Sequence, residues 1–406
     1  MTTATLLLLL LCYIVNVSCV VALPPKVFNV MAYGAVNDGT KDNVKVKKKK
    51  KKKNIHMAFS AAWKDACEYE GRGRVVIPRG VYALGSVIFT GYCRGTMSFI
   101  IHGSLRAPTD RQSFSLDTWI GFRYVEYLTI KGGGYLDGQG HVAWHYNDCS
   151  TNFKCSKLPA SLRLDFVRNS WIHHIRSINS KNTHLNIFAC HNITISNVRI
   201  NAPADSPNTD GIHIGSSANI RILNSTIRTG DDCVSMVSGS RGIEVANVRC
   251  GPGHGISIGS LGRSHAEEPV TDITVRNTTF VATDNGVRIK TWAPSDATSA
   301  SNITFQDINM IAVANPILID QVYCPSGNCL EAQSNVEIRD VVFKNIRGTS
   351  SSEVAVKLQC SRARPCRNVK LVDINLAYRG LRGKSRAVCV NALGSSSGTQ
   401  IPSGCL

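Results

Sequence analysis

The chain has 406 residues, of which 43% are hydrophobic and 18% are charged, and its formal net charge is +18. A chain of this length often forms two globular domains, but it also fits one elongated repeat domain, because a solenoid grows by adding coils. No apolar run after residue 22 is long enough to span a membrane, which excludes membrane-spanning segments there.

Residues 1–22 contain the apolar run Leu6 to Leu11 and remain largely apolar as far as Ala22. This pattern predicts a secretory signal peptide with an uncharged amino-terminal part, and a membrane anchor is the alternative. We therefore expect residues 23–406 to form a single soluble domain in a secreted protein.

Seven of the positive charges form the uninterrupted run Lys47 to Lys53, and removing these seven from +18 leaves +11. A run of like charges is typical of a solvated, disordered segment and has no place in a folded core. We interpret residues 46–57 as an insertion that arose from a gene-model or intron-retention error. A nucleic-acid-binding or wall-binding tail is the alternative. The remaining charge still favours a polyanionic substrate.

An amphipathic helix follows the insertion, preceded by the capping residues of the segment Asp38 to Asn43. We expect this helix to cover the open end of a solenoid. Its predicted apolar face consists of Ala58, Phe59, Ala62, Trp63 and Ala66.

Thirteen of the 15 cysteines lie after residue 22 and indicate an oxidising destination. Zinc is the alternative, but no CxxC pair with a second half is present. Cys190, inside an apolar strand, is then expected to be a buried free thiol. The expected disulfides are Cys67–Cys93, Cys149–Cys155, Cys233–Cys250, Cys324–Cys329, Cys360–Cys366 and Cys389–Cys405.

A repeat of a polar residue followed by alternating apolar positions covers the second half of the chain. The repeat is rich in Val, Ile and Thr, which favours strands, and its intervals of 23 to 33 residues match one solenoid coil. It predicts an all-β fold, a right-handed parallel β-helix with an amino-terminal capping helix; a β-sandwich or propeller is the alternative. The units begin at Asn169, Asn192, Asn219, Gly242, Asp272, Asn302, Asn335 and Asn368.

Four polar clusters precede or overlap short apolar strands between residues 208 and 290. When these strands are aligned, Asp210, Asp232 and His254 share one column, which in a stacked fold becomes a line with rungs about 4.8 Å apart. Asp231 is then expected to face away from the core. The clusters are Asn208 to Asp210, Gly230 to Asp232, Gly253 to Gly255 and Arg288 to Lys290.

Clustered carboxylates cannot all ionise freely, so one can remain an acid while another acts as a base, as glycosidic hydrolysis requires. Arg288 and Lys290, two residues apart on one strand face, suit a substrate carboxylate. Singly, an Asp-Asp pair is commonly a turn and an Arg-x-Lys motif a solvated strand face. Their shared column favours a joint site, and calcium binding is the chief rival.

These motifs resemble those of plant polygalacturonases of glycoside hydrolase family 28, from about Phe28 to the end of the chain, apart from the insertion. The resemblance implies a β-helix and the hydrolysis of α-1,4 bonds of pectin, with inversion and without a metal or other cofactor. The matching signatures are Ser206 to Ile214, Thr229 to Cys233, Cys250 to Ile258 and Arg288 to Lys290.

The resemblance also implies roles for single residues. Asp231 resembles the general acid, and Asp210 with Asp232 resembles the pair that positions and activates water. His254 resembles the histidine that supports the acid. The substrate-binding positions are Asn208, Arg288, Lys290 and Tyr323.

One distance conflicts with the implied inversion, because carboxylates on adjacent rungs would be about 5 Å apart, whereas inverting enzymes usually have about 6.5–9.5 Å. Within the family, the segments Asn147 to Cys155 and Cys324 to Cys329 most resemble the pollen-type exo-acting members. We therefore expect galacturonate to be released from the non-reducing end.

An endo-acting polygalacturonase, a calcium-dependent pectate lyase and an inactive pectin-binding wall protein are the alternatives. The expected setting is the extracellular cell wall, with a monomer that binds pectin and has neither a nucleic acid nor a membrane as partner.

Overall fold

The computed structural model describes residues 23–42, 58–110, 113–114, 116–147, 157–325, 327, 329, 332–380 and 383–406. Within these ranges the chain winds into a right-handed parallel β-helix, the handedness expected of parallel crossovers. The fold predicted from the repeat is therefore confirmed. The predictions for residues 1–22 and 46–57 lie outside the described residues.

One face of the β-helix is an eleven-stranded parallel sheet, which we call sheet 1. Its strands are β5 (Val87–Thr90), β8 (Thr118–Arg123), β11 (Ala160–Asp165), β14 (Leu185–Phe188), β17 (Ile212–Gly215), β20 (Val234–Met236), β23 (Ile256–Leu261), β25 (Asn285–Trp292), β27 (Asn315–Tyr323), β29 (Val354–Gln359) and β31 (Arg386–Val390).

The other strands form a 21-stranded sheet. Column 2 of this sheet contains β1 (Lys26–Asn29), β3 (Gly73–Ile77), β6 (Met97–Ile101), β9 (Leu128–Lys131), β12 (Arg168–His173), β15 (His191–Ser196), β18 (Ala218–Leu223) and β21 (Arg241–Ala246). Column 3 contains β2 (Asp38–Asp42), β4 (Val81–Ala83), β7 (Ser104–Arg106), β10 (Tyr135–Asp137), β13 (Arg176–Ile178), β16 (Arg199–Asn201), β19 (Thr226–Arg228) and β22 (Arg249–Cys250). The two columns merge in the long strands β24 (Val270–Val281), β26 (Ser299–Val313), β28 (Glu337–Ser350), β30 (Cys366–Tyr378) and β32 (Ala392–Ile401).

The core of the β-helix consists of apolar side chains stacked from rung to rung. Strand alternation sends every second side chain inward, and the parallel register puts equivalent residues directly above one another. Each buried Ile or Val contributes roughly 1.5–3 kcal/mol through removal of apolar surface from water. One fully stacked line is Ile193, Ile220, Ile243, Ile273, Ile303, Val341 and Val369.

The repeat-initiating polar residues occupy the left-handed backbone region, which Asn and Asp tolerate better than other side chains. Asn192, for example, has φ 55° and donates a hydrogen bond to the Asn169 side chain at 2.7 Å. One predicted unit start is wrong: the residue in register with Asn302 and Asn368 is Asp340, not Asn335. An alternating apolar segment follows each of the two residues, Val336 with Ile338 and Val341 with Phe343, so the pattern alone does not fix the turn.

Helix α1 (Ala58–Glu68) packs over the first coil, and all five residues of its predicted apolar face are buried. Trp63 packs against Phe89 and Phe122 at ring-centroid distances of 5.1 and 5.3 Å. Its indole N–H donates to the carbonyl oxygen of Thr90 at 3.0 Å. This arrangement confirms the predicted cap. Short 3₁₀ helices span Val30–Tyr33, Gly140–Val142 and Trp144–Tyr146.

Five of the six expected disulfides are present, and Cys190 is a buried free thiol as predicted. The sixth expected pair, Cys149 with Cys155, lies outside the described residues. Among the residues that are described, no helix has both the length and the apolar character needed to cross a membrane.

Candidate active site

The predicted polar column forms at the amino-terminal edge of sheet 1. Strands β17, β20 and β23 pair in register, with Ile212 opposite Val234 and Val234 opposite Ile256. Continued by two residues toward the amino end, this register aligns Asp210, Asp232 and His254.

Asp232 is the buried anion of the site, with a side chain only 2% exposed. Its Oδ1 accepts hydrogen bonds from Ser257 Oγ at 2.7 Å and Arg288 Nη2 at 2.9 Å, and its Oδ2 accepts from Lys290 Nζ at 2.8 Å. Burial by itself would raise the pKa of Asp232, but the charges of Lys290 and Arg288 and the hydrogen bonds from Lys290 and Ser257 lower that pKa to about 2. Asp232 is therefore ionised at any working pH.

Arg288 and Lys290 lie on the outer side of sheet 1, because Val287 before them and Ile289 between them point into the core. Their side chains are only 10% and 8% exposed, since both pack onto Asp232. The sequence predicted two cations on one face but did not predict this carboxylate between them. Two cations against one anion leave a net positive charge.

Asp231 lies in the turn before β20 and is 20% exposed. Its Oδ1 accepts a hydrogen bond from the Asp232 backbone N–H at 2.7 Å and lies 3.1 Å from His254 Nδ1. The hydrogen bond with Asp231 raises the pKa of His254 despite partial burial, and the negative charge of Asp231 acts in the same direction. His254 Nε2 also lies 3.5 Å from the exposed carboxylate of Asp284.

Asp210 lies on the side of Asp231 opposite to His254. Its Oδ2 accepts a hydrogen bond from Ser235 Oγ at 2.7 Å, and His213 Nδ1 lies 2.7 Å from the same hydroxyl and 3.6 Å from Asp210 Oδ2. Burial raises the pKa of Asp210, and the negative charge of Asp231 raises it further. The environment of the site therefore acts in opposite directions on two carboxyl groups: the pKa of Asp210 is raised and that of Asp232 is lowered.

Tyr323, at the end of β27, lies beside the two cations. Its ring centroid is 5.2 Å from Lys290 Nζ and 6.0 Å from Arg288 Cζ. It also makes a T-shaped contact with Trp292 at 5.2 Å. The predicted tyrosine is thus brought to the cation pair, although it lies 33 residues after Lys290 in the chain.

Asn208 lines a cavity of about 580 Å³ that opens onto Asp210. Its side-chain N–H donates to Asn147 Oδ1 at 3.0 Å, and the Asn147 amide donates to the Pro207 carbonyl oxygen at 3.1 Å. These two bonds fix the segment around Asn147 against the turn before β17. The cavity walls also include Arg163, Asn182, Asn186 and Arg263.

A metal ion fits this site poorly. Ligand atoms of Asp231, Asp232 and His254 lie within 4.8 Å of one another. Calcium, however, requires six to eight oxygen ligands, and both oxygens of Asp232 are already bonded to Arg288 and Lys290. Two fixed cations beside the cluster would also repel a third, so the calcium alternative is disfavoured.

The sequence reasoning did not identify Ser235, Ser257, His213 and Asp284 as members of the site. A signal for three of them was present, since Ser235, Ser257 and His213 share one outward column with Arg288. Asp284 lies in the turn before β25 and carried no comparable signal.

The family profile described as glycosyl hydrolases family 28 matches residues 67–398. An exopolygalacturonase of Platanus acerifolia is 44% identical over 378 residues, covering 93% of this chain and 97% of that protein. An exopolygalacturonase of Oenothera organensis is 45% identical over 351 residues, covering 86% and 97% of the two chains. A polygalacturonase of Brassica napus is 44% identical over 357 residues, covering 87% and 89%.

Two solved structures share the fold at lower identity. An endo-xylogalacturonan hydrolase from Aspergillus tubingensis superposes with a TM-score of 0.76 at 24% identity, over 92% of this chain and 99% of that one. An exopolygalacturonase from Thermotoga maritima gives a TM-score of 0.71 at 19% identity, over 87% and 89% of the two chains.

Proposed function

Because this chain belongs to the glycosyl hydrolases of family 28, we propose that it is an exo-acting polygalacturonase that hydrolyses α-1,4 bonds of polygalacturonate and releases galacturonate. The observation that carries the proposal is the three-carboxylate cluster beside two cations at the edge of sheet 1. The relatives named exopolygalacturonase support the exo mode.

We assign the general acid to Asp231. Asp231 is more exposed than Asp232 and lies on the solvent side of the cluster. It also forms a hydrogen bond with His254. Burial and the negative charge of Asp231 raise the pKa of the neighbouring Asp210. The acid must protonate the leaving glycosidic oxygen, and His254 fixes its orientation.

Asp210 and Asp232 position and activate the attacking water. Asp232 stays ionised because of Lys290 and Arg288, so it can accept a hydrogen bond from water throughout the working pH range. Ser235 fixes the orientation of the Asp210 carboxyl group. Each acid–base contribution of this kind typically accelerates a reaction by about 10²–10⁴-fold.

Arg288, Lys290 and Tyr323 bind a substrate carboxylate. The two cations attract the carboxylate of a galacturonate unit into a water-poor site, where charge–charge interactions are stronger than in bulk water. The aromatic ring of Tyr323 limits the movement of both cations.

The cavity beside Asp210 supports attack at a chain end. Its amide and guanidinium groups suit the hydroxyls and the carboxylate of a terminal sugar, and the Asn147–Asn208 contact narrows that side of the cleft. Asn208 then acts through this contact as a positioning residue.

We also propose that residues 1–22 direct secretion and that the protein acts on cell-wall pectin as a monomer, with no metal or other cofactor and no nucleic-acid or membrane partner. The five disulfides described above support an oxidising compartment. Appearance of active protein in the culture medium and its mass in solution test these points.

The direct test is digestion of polygalacturonate by the full chain and by a variant that lacks residues 46–57. We expect galacturonate as the main early product from both proteins, because the insertion contributes no residue to the cluster. Early release of longer oligomers would instead indicate endo action. Unsaturated, ultraviolet-absorbing products that disappear with a chelator would indicate a lyase.

Two further measurements test the chemistry. Early products followed by nuclear magnetic resonance should show inversion at the anomeric carbon, and retention would overturn that part of the mechanism.

Asp231→Asn should lower turnover by about 10³-fold while oligogalacturonate still binds, because only the proton donor is lost. Substantial residual hydrolysis would move the acid assignment to Asp210.

A further inference from the structure

A line of arginines lies outside the cleft, on the outer face of column 3. Strands β13, β16 and β22 each begin with an arginine that points outward. The residue after that arginine points into the core. The parallel register pairs Arg176 with Arg199, Arg199 with Thr226, and Thr226 with Arg249. Together with Arg228, two residues after Thr226, these side chains form a surface that we call the basic stripe.

Among the described residues, none of the four arginines of the stripe forms an ion pair. On the neighbouring column 2, Arg221 and Arg276 both pair with Glu244 at 3.0 and 2.7 Å. In the stripe, Arg176 instead contacts the ring and hydroxyl of Tyr135. Successive rungs about 4.8 Å apart therefore present positive charge without a local counterion.

A cavity of about 370 Å³ lies along this stripe. Guanidinium, amide, hydroxyl and imidazole groups surround it, and such groups bond to the hydroxyls and carboxylates of an acidic sugar. The lining includes His174, Arg176, Asn197, Arg199, Asn224 and Thr226.

A single turn of the backbone separates the basic stripe from the cleft. Arg228 is only three residues before Asp231. The stripe and the cleft are therefore two tracks that both run along the axis of the β-helix, on adjoining faces.

We propose that the basic stripe is a second binding surface for an acidic polysaccharide, a polyuronate chain lying along column 3. Such a chain carries a carboxylate on each unit and can contact cations on several rungs at once. The choice of a polyuronate rests on the proposed function, because the cleft beside the stripe acts on that polymer. The surface holds the enzyme on its polymer while the cleft works on a chain end.

Binding is tested by retention on immobilised polygalacturonate, with excess trigalacturonate present to occupy the cleft. All proteins in this assay are the full chain with Asp231→Asn, so that the oligomer is not consumed. The test variant is Arg199→Gln with Arg249→Gln. The matched control is Arg362→Gln with Arg364→Gln, which removes the same charge from an exposed segment outside the stripe. The lysine run is common to all of them.

We expect about tenfold weaker retention of the stripe variant at low ionic strength, and a smaller difference at high salt. The control should bind like the parent. Equal retention of the two double variants overturns the proposal, and so does equal binding of the parent to an immobilised polyphosphate. Turnover of trigalacturonate by chains with Asp231 intact should be the same with and without the stripe changes. If the unaltered chain does not hydrolyse the trimer, the proposed function fails, whereas the retention result still decides the stripe.

Discussion

The clusters around Asp232 and Glu244 share one arrangement, a single carboxylate paired with two cations. In the cleft, Asp232 pairs with Arg288 and Lys290 at 2.9 and 2.8 Å. On the outer face of column 2, Glu244 pairs with Arg221 and Arg276 at 3.0 and 2.7 Å.

The two clusters differ in burial. The Asp232 side chain is 2% exposed, whereas that of Glu244 is 26% exposed. The hydrogen bonds from Arg276 and Arg221 lower the pKa of Glu244, as the cations near Asp232 lower the pKa of that group. Pairing alone therefore does not make a site. Exclusion of water around Asp232, and the neighbouring carboxyl groups, give the cleft cluster its chemistry.

The largest expected difference is in turnover. Asp232→Asn should lower turnover of polygalacturonate by about 10²–10³-fold, because it removes the anion to which we assign the positioning of water. Glu244→Gln should leave the rate unchanged. Comparable losses in both variants would show that the two clusters do not differ in function, and circular dichroism checks that each variant is folded.

The loss of stability should likewise be larger for Asp232→Asn than for Glu244→Gln. Asp232→Asn leaves two buried cations without their anion, and we expect a loss of about 3–5 kcal/mol in the free energy of unfolding. Glu244→Gln should cost about 0–1 kcal/mol, as exposed pairs do. Denaturant titration of both variants measures the difference. A larger loss for Glu244→Gln would contradict the explanation that the buried cluster depends more strongly on its carboxylate than the exposed cluster does.

The third prediction concerns stability at low pH. The pKa of Asp232 is lowered from 3.8 to about 2 in the folded state. This group therefore contributes stability that is fully present above about pH 4 and is lost as the pH falls to about 2, an effect of about 2 kcal/mol. The contribution should be missing from Asp232→Asn, and an unchanged pH dependence in that variant would contradict the assignment.

The smallest effect is that of salt. At 1 M salt the screening length is about 3 Å, so the small stability difference between the parent and Glu244→Gln should disappear. The difference for Asp232→Asn should persist, because the buried pair is shielded from ions. Unfolding midpoints at low and high salt provide the measurement.

Local pattern and stacking made much of this molecule predictable. The face of α1 from Ala58 to Ala66 followed from helical periodicity, and the alignment of Asp210 with Asp232 followed from strand periodicity. The start of the seventh repeat unit was assigned to Asn335 instead of Asp340, because an alternating apolar segment follows each of these two residues. Backbone conformation at Asp340 resolves that ambiguity.

The sequence by itself predicted the β-helix, its cap, five disulfides and most of the charged residues at the site, because each depends on periodicity or on spacing along the chain. Only the tertiary structure decided that Asp232 is enclosed by Arg288 and Lys290, 56 and 58 residues away. It also decided that the pKa of Asp210 is raised while that of Asp232 is lowered. The physical reason is that the pKa of a carboxyl group depends on desolvation and on neighbouring charges, and both arise only when distant coils stack.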